Sequence, residues 1–161
     1  MEQSRATQGM ALLRMVVGML LLYGALTHLA WTPMPVAAFS WVQALQTQLL
    51  AVAAVHPQLP LRDLVNASLL PAVISLARGM ALLELAAGLS LVPGLFTVLG
   101  AACGLVLVLG RLLLFYPLGG QDVVLDLLLV ALLLVFLIAR AGRRWGVDGL
   151  LARLRPTGRL W

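Results

Sequence analysis

The chain has 161 residues, 62% apolar and 11% charged, with a mean hydropathy of +1.03. Soluble domains sit nearer half apolar and a quarter charged, so this composition excludes an ordinary soluble enzyme and indicates a one-domain integral membrane protein, residues 1–161. The net charge of +5 comes from eleven basic residues, all arginine; they form no soluble basic face, which sets nucleic acid aside as a partner.

The first apolar run, at about residues 9–30, is long enough to cross a bilayer. Arg5 and Arg14 ahead of its apolar centre, with Val36-Ala37-Ala38 beyond, also fit a signal peptide; the expectation is a retained span. Residues 31–70 form a long outer loop. Within it, residues 39–56 place apolar side chains at 39, 42, 45, 49, 52 and 53, with Ser40, Gln43 and Thr47 on another face. That spacing predicts an amphipathic helix on the outer membrane surface, with Trp31 and Trp41 at headgroup depth. A re-entrant or half-buried helix is the alternative. Pro57 and Pro60 end this helix and separate it from the second span.

The second span is expected at about residues 71–92, with Pro71 in its first turn. Val92-Pro93-Gly94 forms a tight turn, and the third span follows at about 95–115. Tyr116-Pro117-Leu118-Gly119-Gly120 breaks it before a fourth span at about 122–139. The predicted fold is therefore all-α: a four-transmembrane-helix bundle with an amphipathic surface helix between the first and second spans. Arg140, Arg143, Arg144, Arg153, Arg155 and Arg159 all follow the last span. They predict a basic cytoplasmic tail, 140–161, with a short amphipathic helix around Val147–Leu154, and they place both termini in the cytoplasm.

Charges within apolar runs are the candidates for function, because a membrane-embedded charge is costly and demands a partner. Antiparallel third and fourth spans joined by a short turn place Arg111 and Asp126 at one depth. Asp122 lies one turn above, near a helix N-terminus that favours a negative charge. Arg78 and His28 approach the same outer zone from the second and first spans. His28, Arg78, Arg111, Asp122 and Asp126 thus define either a salt-bridge network that holds the bundle together or a pocket for a polar head group, such as a quinone ring or a sulfur oxyanion. Arg14 and Glu84 are read as a second, inner buried charge pair, structural or engaged in proton exchange. The lone Cys103 reads as a packing residue and excludes an intrachain disulfide. His28 and His56 could in principle flank a haem, but no covalent haem motif occurs, and two histidines make no zinc cage. No metal site and no covalently bound cofactor are expected.

Arg14-Met-Val-Val-Gly18 followed by Tyr23-Gly24 and His28 resembles the first span of the DoxX family. Residues 84–97 (ELAAGLSLVPGLFT) look like that family's second span and turn. Residues 142–148 (GRRWGVD) are similar to the glycine-containing segment with an aspartate that follows its fourth span. The resemblance implies four spans in a bacterial cytoplasmic membrane and a role as a subunit of a redox complex, on the pattern of thiosulfate:quinone oxidoreductases. Quinone would be the cofactor, and lipids and other membrane subunits the partners. The chain departs from the family in carrying His28 where a lysine is common, and in its long loop. The alternative is a non-catalytic accessory subunit of a larger respiratory or photosynthetic complex. A small transporter is disfavoured by the lack of an inverted repeat.

Overall fold

The computed structural model describes residues 2–29, 36–119, 121–139 and Val147; among them every regular element is helical. Helix α1 spans Glu2–Leu29 and α2 Val36–Val55. Pro57 ends α2, since the residue before a proline is pushed out of the α region. A short α3, Leu59–Leu64, follows with Pro60 in its first turn. It runs into a π-helical stretch, Val65–Leu69, closed by the Leu70 amide donating to the Val65 carbonyl at 2.9 Å. Residues 59–69 are therefore helical where a loop was expected: a proline in a first turn opens a helix as readily as one further on ends it. Pro71 lies in the turn before α4 rather than inside it.

Helix α4 spans Val73–Leu91, α5 Thr97–Phe115 and α6 Gln121–Ala139. The α4–α5 turn is held by the Ser90 hydroxyl donating to the Leu95 carbonyl at 2.6 Å. It requires a left-handed backbone at Gly94 (φ 68°) and at Phe96 (φ 50°), a region natural to glycine and uncommon for phenylalanine. Among the described residues, three helices are long and apolar enough to cross a membrane: Gln8–Leu29, Val73–Leu91 and Thr97–Leu118. The described apolar stretch of α6, Val123–Ala139, is shorter. The six arginines of the tail lie outside the described residues, as does the tail helix apart from Val147, whose amide donates to the Pro93 carbonyl at 3.2 Å.

Helices α1, α4, α5 and α6 pack in that order, each antiparallel to the next. Val17, Leu21, Ala87, Leu91, Val108, Leu133 and Phe136 form their shared core. Small residues set the register, as they do where helices associate without a hydrophobic driving force. Gly88 lies against Leu22 and the Gly18 carbonyl, so closely that a Cβ there would stand 2.6 Å from Leu22. Helix α2 lays Leu45, Leu49 and Val52 on Val65, Val73 and Ala77, making a second core over one end of the bundle. Its other flank is exposed at Gln43, Gln46, Thr47 and Leu50. The two-faced pattern read from the sequence is therefore used against protein along its buried face. Arg62 fastens the end of α2 by donating to the carbonyls of Ala53 and Ala54, two of the last-turn acceptors that the helix itself cannot satisfy.

Candidate functional site

The register of α1 on α4 determines which charges meet. With Gly18 against Leu91 and Val92, and Leu22 against Gly88, the helices bring Gly24 and His28 to Glu84. Gly24 leaves the room: a Cβ there would lie 3.2 Å from a Glu84 oxygen. His28 Nδ1 is 2.8 Å from Glu84 Oε2. Glu84 is 3% exposed, and its other oxygen faces Arg111 at 3.9 Å. Arg111 reaches Asp126 at 3.5 Å, and Asp126 is itself 4% exposed. One connected cluster, His28–Glu84–Arg111–Asp126, thus takes one residue from each of α1, α4, α5 and α6. Each buried carboxylate has a basic neighbour, the condition under which a charge is tolerated away from water.

A cavity of about 230 Å³ opens beside this cluster. Its walls include His28, Arg111 and Asp126, with Trp41 and Gln48 from α2, Phe115 at the end of α5, and Tyr116 and Gly119 just after it. Trp41 stacks on His28, with ring centroids 3.8 Å apart and planes within 15°. The stack on one face and the Glu84 hydrogen bond at Nδ1 fix the imidazole between them. With Glu84 ionised, its oxygen can only accept, and Nδ1 is then the donor in that bond. Nε2 then holds a lone pair, or a second proton when the ring is charged, on a residue that lines the cavity. The indole Nε1–H of Trp41 is buried without a hydrogen-bond partner among the described residues, a condition that costs roughly 1–3 kcal/mol if nothing else accepts it.

His56 is organised differently. It is 1% exposed, with Nδ1 accepting from the Gln58 amide at 3.2 Å and Nε2 directed at the Leu113 carbonyl at 3.4 Å. Tyr116 packs edge-on against its ring. Both nitrogens are thus spoken for by backbone, so His56 ties the end of α2 to α5 and offers no lone pair to a haem iron.

The expected meeting of Arg111 with Asp126 and His28 at one end of the bundle is present. Three expectations are corrected or fall outside the description. Arg14 and Glu84 do not pair with each other: Arg14 packs at Gly94, where a Cβ would stand 2.5 Å from its guanidinium, while Glu84 packs at Gly24. Arg14 and Gly24 stand ten residues apart along α1, about 15 Å at the α-helical rise. Glu84 therefore belongs to the His28–Arg111 cluster. Arg78 is exposed on α4 and does not line the cavity. The side chain of Asp122 lies outside the described residues. Trp41 was placed at headgroup depth by the sequence reading but not at the site. Its aromatic ring at an amphipathic position of the loop helix was the available signal.

No protein-family model, curated protein or solved structure matches the chain.

Proposed function

We propose that this chain is a four-span, DoxX-like subunit of a redox complex in the bacterial cytoplasmic membrane, and that the cavity beside His28 and Arg111 receives a quinone head group. The observation that carries the reading is that the two basic residues lining that cavity, His28 and Arg111, share one buried carboxylate behind it, Glu84. Helix α6, at 19 residues, is about 28 Å long by helical rise and counts as the fourth crossing.

The donor set favours a neutral, hydrogen-bonding ring over a sulfur oxyanion. The charge of Arg111 is divided between two carboxylates, Glu84 and Asp126, and Arg78 stands away from the cavity. An oxyanion would meet two buried negative charges there. A quinone carbonyl can accept from His28 or Arg111 while the ring lies beside Trp41 and Phe115. When bound, a quinone supplies two-electron, two-proton chemistry, and its electrons would come from a partner subunit. His28 Nε2 would carry one of the two protons to or from the head group, and the other would be exchanged with water in the cavity. Glu84 keeps the imidazole oriented, in the manner of carboxylate–histidine pairs. Arg111, facing the other oxygen of Glu84, keeps that carboxylate paired whichever charge the ring carries.

The test is saturable binding of decyl-benzoquinone to the purified protein in nanodiscs, comparing wild type with His28→Ala. Loss of one hydrogen bond of ordinary strength lowers affinity by about tenfold. Equal affinity of the two proteins would remove His28 from the site. No saturable binding by either, with co-purification of a larger respiratory or photosynthetic assembly, would establish the accessory-subunit reading instead.

A further inference from the structure

A second cavity, an apolar groove of about 310 Å³, lies on the other side of the Arg111 wall. Leu61 and Leu64 of α3 and Leu69 of the π-helical stretch form one bank; Leu83 of α4 and Val106 and Gly110 of α5 lie along the other. Three residues, Met80, Arg111 and Phe115, line both the groove and the polar cavity. Arg111 is the one charged residue of the groove, and it stands at that shared wall. The π-helical turn lies at the groove bank, and such turns recur where a helix is shaped around a site.

Resting on the quinone-head reading above, we infer that the groove holds the hydrocarbon chain of the same ligand. The ligand class is thereby narrowed to an amphiphile: a neutral hydrogen-bonding ring at His28 and an isoprenoid or alkyl chain that passes Met80 and Phe115 and leaves between α3 and α5. A polar chamber and an apolar groove with a common wall match the two halves of such a molecule. The groove alone would suit any acyl chain; the shared wall selects a chain attached to a head. Because lipid tails are as apolar as leucine, the chain gains little from leaving the bilayer. Its contribution comes from packing against the groove and from holding the head in place.

Gly110 gives a clean test. It lines the groove but not the polar cavity, and a Cβ added there would meet nothing within 4 Å. Gly110→Leu therefore attaches its side chain without a clash at Cβ and adds bulk at the groove. Val106→Phe, at a position 67% exposed, narrows the same groove from an independent site. The probes are 2,3-dimethoxy-5-methyl-benzoquinone and its decyl derivative, titrated into nanodiscs at equal membrane mole fraction. Binding is read as the tryptophan quenching that disappears in Trp41→Phe, since Trp41 lines the head cavity.

The expected result is that both substitutions weaken the decyl probe by at least about tenfold, the scale on which an apolar pocket discriminates misfitting carbon, and leave the chainless probe unchanged. Equal binding of both probes to all three proteins would overturn the groove assignment while leaving the head site intact. So would an equal loss for both probes in the two variants. Absence of Trp41-dependent quenching by either probe would overturn the head site and the groove together.

Discussion

Replacing Arg111 by methionine isolates the electrostatics of the cluster. The substitution keeps a long apolar stem and removes the charge that faces Glu84 at 3.9 Å and Asp126 at 3.5 Å. At an effective dielectric constant of about 20, each of those approaches corresponds to ~4–5 kcal/mol of gross attraction. Desolvation of the three groups cancels much of it, and the Arg111 side chain is 29% exposed. Breaking a buried pair by deleting one partner costs roughly 3–5 kcal/mol; the partial exposure places Arg111→Met near the lower end, at about 3 kcal/mol. Arg111→Met/Asp126→Asn then recovers about 1–2 kcal/mol relative to the sum of the single losses, the range of coupling found for contacting charges. Arg78→Met, at an exposed position away from the cavity, changes stability by no more than about 0.5 kcal/mol. Equilibrium unfolding from bicelles with increasing dodecyl sulfate, followed by tryptophan fluorescence, measures the wild type, the single variants Arg111→Met, Asp126→Asn and Arg78→Met, and the double variant. Equal small losses for Arg111→Met and Arg78→Met, or strict additivity in the double variant, would refute the ion-paired cluster.

Other substitutions test the packing that sets the cluster. Gly88→Ala forces a Cβ to within 2.6 Å of Leu22 and 2.9 Å of the Gly18 carbonyl, so it should destabilise by about 1–3 kcal/mol in the same assay. Gly79→Ala, with nothing within 4 Å of the new methyl, should instead stabilise by about 0.5–1 kcal/mol through helix propensity. Gly94→Ala combines a left-handed backbone with collision against the Arg14 guanidinium; the backbone term alone is about 1–2 kcal/mol, and the measured loss in unfolding free energy should exceed it. His56→Leu strips the Gln58 amide of its acceptor and should cost about 1–3 kcal/mol, read by the same unfolding titration, while leaving quinone-dependent quenching of Trp41 in place.

The helical class, the three long apolar helices and the encounter of Arg111 with Asp126 were legible because they follow from local rules: apolar run length, turn residues, and a short connection that forces antiparallel neighbours to share a depth. The partner of Glu84 was not legible in this way. Helices α1 and α4 are separated in the chain by more than forty residues, so no turn fixes their register; Gly18 and Gly88 do. A register argument from those glycines would have put Gly24 and His28 opposite Glu84, and Arg14 opposite the α4–α5 turn. Helix α3 was hidden by Pro57 just before it and Pro60 in its first turn, since a proline marks a helix start and a helix stop alike. The stacking of Trp41 on His28 depends on how α2 folds back over the bundle. That is a tertiary choice set by Leu45, Leu49 and Val52 finding Val73 and Ala77, and periodicity alone does not specify it.

The most direct measurement is an experimental density map of the protein in a lipid nanodisc with decyl-benzoquinone bound. The account predicts the ring within hydrogen-bonding distance of His28 Nε2 or Arg111, beside Trp41, with its chain running past Met80 toward Gly110. Density for the ring elsewhere, or a guanidinium of Arg111 turned from Glu84 and Asp126 into the acyl chains, would contradict it.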